Sequence, residues 1–335
     1  MKINFAKVGR KLRPKNDFTF AVATVRVWES QLLDFAQIDR MLAANSAAES
    51  FRILNDTPWS QFLSDFTVVD FEKVLAAGLF ATKREICKIA PDSNSFDFLW
   101  LFFDLQNAKI LTKDLLKNLP SEMPEELLSP LGSLPAAKMS EIIFEKKEVE
   151  NWEWLIPIIS EIENKFTETK KPEIVEEILT AAFFEKIVEK LDGRGDFLQN
   201  FFAALVDFEN LKARLRGDFK IQFLPGGKIA PENFTEKEVS EIISEFPQKW
   251  REEISPEISA EKIDWAKLEN CGEDLIFREL RSAKFEPEKI DAVFAFFWSK
   301  LEEVKTLRQI FVGKLNNLPA EKIRANLRSP QISLF

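Results

Sequence analysis

The sequence predicts an all-α protein, and three observations carry that prediction. The first is the run from Ile290 to Leu315. Its apolar positions Ile290, Val293, Phe297, Leu301, Val304, Leu307, Phe311 and Leu315 recur in steps of three and four. The mean step is about 3.6 residues, the period of an amphipathic helix. The second is composition: of 335 residues, 45% are hydrophobic, 30% are charged and only 10 are Gly. That balance favours helices over sheets, and no stretch alternates polar and apolar residues as a half-buried strand would. The third is a polar pattern on the long helices, an acid followed by an amide or hydroxyl at +3 and a base at +5. It occurs as Asp104/Asn107/Lys109, as Asp207/Asn210/Lys212 and as Glu303/Thr306/Arg308.

The three copies start at 104, 207 and 303, so they are 103 and 96 residues apart. Matching lead-ins, Phe71-Glu72-Lys73, Phe184-Glu185-Lys186 and Leu268-Glu269-Asn270, precede them. Near-even spacing of this kind suggests a threefold internal repeat. The expected units are 1–119, 137–224 and 225–335, with a Pro-rich linker at 120–136. At about 100° per residue, the acid should border one edge of the apolar stripe and the base the other. Two roles are open to these nine residues. They are either intramolecular ion pairs and helix-packing groups, or contacts to a partner.

Along the chain, a basic tail (Lys2, Lys7, Arg10, Lys11, Arg13, Lys15) comes first. It is either a solvated tail or a contact for anionic headgroups or an acidic partner. Asp17 can cap a helix that starts near Phe18 and runs to about Phe35. Short helices follow at Ile38–Leu42 and Ala47–Leu54. Asn55-Asp56-Thr57-Pro58 reads as a turn, and Ser60–Phe66 as another helix. A longer helix covers Val68–Ala90 and stops before Pro91. The first signature helix is Phe96–Leu119, entered through Asp92-Ser93-Asn94-Ser95. Beyond the linker, helix returns at Lys138–Glu148, and Trp152, Trp154, Leu155, Ile158, Ile159 and Ile162 form an apolar face entered at Pro157. Pro172 sits in the first turn of a helix that reaches Leu191. The second signature helix follows from Asp196 and ends at Gly217. Phe223-Leu-Pro-Gly-Gly-Lys228 is a turn and the second unit boundary. Thr235 with Glu238 fits a capping box. The remaining helices are expected at Lys237–Glu245, Pro247–Glu253, Ala260–Arg281, Pro287–Leu315 and Ala320–Leu327.

Chemistry finds little support in these residues. Histidine, the usual general base and metal ligand, is absent, as is Tyr. The two cysteines, Cys87 and Cys271, form no metal-ligand spacing. No G-x-S-x-G elbow occurs. The Gly226-Gly227-Lys228 stretch lacks the phosphate-loop frame, and no strand precedes it. No catalytic, cofactor-binding or metal-binding residue is therefore expected. A net charge of −9 argues against general nucleic-acid binding. Nothing resembles a secretory signal, and no run of about 18 apolar residues could span a bilayer.

Several segments, in the right order, resemble the C subunit of the V-type/A-type rotary ATPases, the relative of the d subunit of eukaryotic V-ATPases. They are Phe18 to Asp34 (FTFAVATVRVWESQLLD), Phe197 to Gly217 (FLQNFFAALVDFENLKARLRG), Phe223 to Ile229 (FLPGGKI) and Ser299 to Leu327 (SKLEEVKTLRQIFVGKLNNLPAEKIRANL). The resemblance spans nearly the whole chain. It implies three helical units arranged as a funnel around a pseudo-threefold axis. It also implies a non-catalytic central-stalk socket without cofactor, seated between the D and F shaft proteins and the membrane c-ring. Such a part couples ATP turnover on other chains of the complex to H⁺ or Na⁺ movement, and is held peripherally on the cytoplasmic face of the membrane through the ring. The chain departs from the family in having no His and no Tyr but 32 Phe. Phe18, Phe20, Phe296 and Phe297 stand where the family usually has Tyr, and Gln106 where it often has His. This suggests an edited or alphabet-restricted version of a natural sequence, the alternative being a natural genome of biased composition. The competing readings are a helical-repeat adaptor unrelated to rotary ATPases, and an enzyme with a buried carboxylate site.

Overall fold

The structure, a computed structural model, describes residues 17–92, 94–117, 128–217, 223–259, 262–283 and 286–327. All regular structure among them is helical, with no strand. The basic residues of the N-terminal tail, Ser93, and the linker prolines Pro120 and Pro124 lie outside the described residues.

The chain divides into two compact units. One is continuous, Phe96–Leu268. The other joins the two ends of the chain, residues up to Ser95 with those from Glu269 onward.

In the unit made from both chain ends, the described helices are α1 (Thr19–Glu29), α2 (Phe35–Ala43), α3 (Ala47–Arg52), α4 (Phe71–Ile89), α14 (Ile290–Leu315) and α15 (Ala320–Asn326). The helix α14 is its spine, packed against α1, α3, α4 and α15. Every residue from Ile290 to Phe297 is buried. All of them but Asp291 are apolar, and a helix apolar nearly all round its first two turns belongs inside a core. Burial pushes the Asp291 carboxyl up to about 6. Phe311 lies between Phe51 and Phe71, at centroid distances of 5.5 and 5.7 Å. Gly313 lets α15 approach, since a Cβ there would lie 2.6 Å from Cγ1 of Ile323. Phe18, Phe296 and Phe297 are all buried in this core, where a missing hydroxyl leaves no polar atom to satisfy.

In the continuous unit, α5 (Asp97–Leu116), α6 (Ala136–Glu145), α7 (Leu155–Thr169) and α8 (Glu173–Leu191) pack as a cluster around the α5–α8 contact. It is followed by α9 (Asp196–Leu215), α10 (Asn233–Glu236), α11 (Val239–Glu245) and α12 (Gln248–Ile258). The boundary between the units falls inside α13 (Trp265–Ala283), whose residues from Glu269 onward belong to the unit made from both chain ends. Phe102 stacks on Phe202 at 5.7 Å and meets Phe184 edge-on at 5.6 Å. Trp154 meets Phe183 edge-on at 5.0 Å.

Local chemistry explains where expected boundaries moved. Asp17 Oδ1 accepts from Thr19 N at 2.9 Å, as its place before the helix suggests. That helix stops at Glu29 rather than near Phe35, because Asp34 starts the next one. Asp34 Oδ1 accepts from Gln37 N at 2.8 Å, and Gln37 Oε1 accepts from Asp34 N at 2.9 Å, a complete capping box. In place of the helix expected over Ser60–Phe66, only a 3₁₀ turn forms, over Pro58–Phe62. The expected box at Thr235 and Glu238 does not form. Thr235 lies inside α10 and its hydroxyl donates to the Glu232 carbonyl, while Glu238 with Glu241 caps α11.

Candidate functional site: carboxylates that clasp loops

The acids and amides of the signatures do not form exposed helix edges. Asp104, Asn107, Asp207, Asn210 and Glu303 are all buried. They hold backbone, and two of the copies do so in the same way.

In α5, Asn107 pairs with Ser129 through both backbone groups: its Oδ1 accepts from Ser129 N at 2.7 Å and its Nδ2 donates to Ser129 O at 2.9 Å. One turn earlier, Asp104 accepts from Ser133 N at 2.8 Å, Ser133 Oγ at 2.7 Å and Leu134 N at 3.1 Å. In α9, Asn210 treats Leu224 identically, at 2.7 and 3.0 Å. Asp207 accepts from Lys228 N at 3.0 Å and Ile229 N at 3.2 Å. The clasped segments are Ser129-Pro-Leu-Gly-Ser-Leu134 and Leu224-Pro-Gly-Gly-Lys-Ile229. Both have Pro second, Gly fourth and a branched aliphatic residue sixth. The fourth position must be Gly. A Cβ on Gly132 would stand 2.2 Å from Asp104 Oδ1, and one on Gly227 2.0 Å from Asp207 Oδ1.

Each side chain therefore replaces water for loop N–H groups that would otherwise be buried unpaired. The physics is that of a backbone anion cradle, with the anion supplied by the chain itself. Burial pushes the Asp207 carboxyl up to about 6, against the lowering effect of the Ile229 and Lys228 N–H groups. Sequence reading finds the acid and amide but misses the loops they hold. The x-Pro-x-Gly-x-aliphatic spacing is visible, yet it falls 22 residues from Asn107 and only 14 from Asn210, so no fixed offset ties loop to helix.

The third copy is built differently. Glu303 Oε2 accepts from Leu33 N at 2.7 Å, across 270 residues of sequence. Its Oε1 accepts from Trp59 Nε1 at 2.7 Å and Lys300 Nζ at 2.5 Å. Lys300 Nζ also stands 4.3 Å from the centre of the Trp59 ring. Gly78 makes room for that indole, since a Cβ there would lie 2.3 Å from it. Thr306 is half-buried and makes no backbone pair among the described residues like that of Asn107 or Asn210.

Arg308 and Lys109 hold neighbouring helices, and Lys212 pairs along its own. Arg308 is bidentate on Glu72, at 2.6 and 2.8 Å, and the contact raises its pKa. Lys109 Nζ lies 2.6 Å from Glu176, which Lys113 also contacts. Burial raises the Glu176 pKa, but the two lysines outweigh it and the net shift is downward. Lys212 pairs with Glu209 at 2.7 Å and lies over the Phe208 ring. Glu72 and Glu176 each sit in the first turn of a 19-residue helix. Phe184-Glu185-Lys186 lies in the second half of α8, whereas Phe71-Glu72-Lys73 opens α4. Those two lead-ins do not hold the same place along their helices. The partner of Glu72 in the pattern is Glu176, because the base on the long helix selects it.

No group of three or more acids or cysteines converges among the described residues to hold a metal ion. No helix among them is long and apolar enough to cross a membrane.

The sequence model of the ATP synthase (C/AC39) subunit family matches residues 21–326. The chain is similar to the C subunit of the A-type ATP synthase of Methanocaldococcus jannaschii, 26% identical over 354 aligned positions that cover 93% of this chain and 86% of the relative. It is also similar to the C subunit of the V-type ATP synthase of Deinococcus radiodurans, 26% identical over 135 positions, 38% of each chain.

Proposed function

For a chain that belongs to the ATP synthase (C/AC39) subunit family, we propose the role of a non-catalytic socket in the central stalk of a rotary V/A-type ATPase. In this reading it joins a shaft of D and F subunits to a membrane c-ring, on the cytoplasmic face. It passes torque between ATP turnover elsewhere and H⁺ or Na⁺ movement in the ring. The observation that carries the reading is the internal use of the signature carboxylates. Asp104, Asp207 and Glu303 are committed to backbone N–H groups and a Trp indole. Spent in that way they brace helices and loops. A torque-bearing part needs such bracing, since close-packed helices transmit displacement without yielding.

The test is retention of this chain by purified D–F shaft and by purified c-ring, each immobilised separately. Retention by both is expected. Retention by neither defeats the proposal and favours an adaptor outside rotary ATPases.

A further inference from the structure

A cleft of about 610 Å³ opens beside the Glu303 clasp. It lies wholly within the unit made from the two chain ends, between α1, the Pro58–Phe62 turn, α4 and α14. Trp28, Trp59, Phe62, Phe80 and Phe296 make its apolar wall, and Arg84, Glu85 and Lys300 its charges. Phe80 is 41% exposed, although it sits in the middle of a 19-residue helix whose other large apolar residues are mostly buried. An exposed Phe against a concave aromatic surface marks a surface built to be covered.

We propose that this cleft seats a segment of a partner protein that presents an apolar side chain and, within one helical turn of it, a carboxylate. The charges select that occupant. Glu85 is held by Lys88 at 2.5 Å, and its approach to Arg84 is only 3.9 Å. Arg84 is therefore the most loosely held charge on the rim, with 64% of its side chain exposed. A cationic segment would meet Arg84 and Lys300, and the Trp59 ring face is already covered by the Lys300 ammonium. An acidic segment meets a guanidinium suited to a bidentate grip. The volume suits two or three side chains rather than a whole helix. The Lys300 charge is already matched by Glu303, so on a chain of net charge −9 Arg84 supplies the local orientation that the overall field does not.

The inference rests on the rotary reading in taking the partner from the same assembled complex. The test places the photoreactive analogue benzoylphenylalanine at Phe80, an aromatic exchange at an exposed site, in the full chain within the intact complex. The expected adduct is a peptide of another protein of the complex with Asp or Glu within four residues of the linked apolar side chain. Arg84→Glu should lower its yield about fivefold, the worth of one partly exposed charge pair. Adducts confined to this chain, a partner peptide without an acid, or a yield indifferent to Arg84→Glu would each overturn it. Failure of the unlabelled chain to enter the complex counts against the rotary reading, and this inference falls with it. Normal entry without a Phe80 adduct defeats this inference alone.

Discussion

Gly227 stands against Asp207 so closely that a Cβ on the glycine would lie 2.0 Å from the carboxylate oxygen. Gly132 and Asp104 repeat the relationship at 2.2 Å. Two loops of different sequence thus meet two helices under one steric rule. The carboxylate can reach successive loop N–H groups only if the residue before them has no side chain. Gly132→Ala and Gly227→Ala should each destabilise the protein by about 1–3 kcal/mol, through displacement of the clasp and overpacking. Urea midpoints at pH 7 measure it. Equal midpoints for wild type and both variants would remove the rule.

Glu303 has no exposure and three partners from separate parts of the chain. Glu303→Ala leaves the Leu33 N–H, the Trp59 indole N–H and the Lys300 charge without their acceptor. A loss of about 3–5 kcal/mol is expected, the range for breaking a buried charge pair. Glu303→Gln keeps one acceptor oxygen and should lose less. Chemical denaturation orders the two variants. An alanine variant as stable as the glutamine one would show that the network contributes nothing.

Stability should carry the signature of Asp207. Its carboxyl is raised by burial to about 6 in the folded protein, above the roughly 3.9 of an unfolded chain. The folded state therefore holds the proton more tightly, and stability falls as pH rises from about 4 to about 6. The difference corresponds to about 3 kcal/mol between the ends of that window. The measurement is the unfolding free energy of wild type minus that of Asp207→Asn at several pH values. Wild type should lose ground relative to the variant across the window. A flat difference would mean that the group titrates alike in both states.

Arg308 and Glu72 form a two-pronged contact that is about half exposed on both sides. Exposed ion pairs contribute little, so Arg308→Ala should cost no more than about 1 kcal/mol. Arg308→Glu should cost more, because it sets two carboxylates face to face, and Glu72→Arg in the same chain should restore most of the loss. Melting temperatures of the three variants decide this. If Arg308→Glu melts like wild type but is no longer retained by the shaft or ring, the arginine acts at an interface instead.

Most helices are legible in the sequence because their causes are local. The 3.6-residue period of Ile290–Leu315 and the stops at Pro91 and Gly217 lie within a few residues of what they control. The break at Glu29 is also local, written in the Asp34–Gln37 spacing, but the apolar residues on either side of it mask it. The three polar signatures are legible as a pattern and not as a structure. Residue spacing along a helix says which side chains share a face, but not whether water or another part of the chain will meet that face. Asp104 and Asp207 become buried acceptors because loops with Pro and Gly in register supply their N–H partners. Glu303 does so because Leu33 and Trp59 come from the far end of the chain. Such partners are chosen by packing, since a buried carboxylate is tolerated only where donors already stand, and where donors stand is decided by the folded chain as a whole.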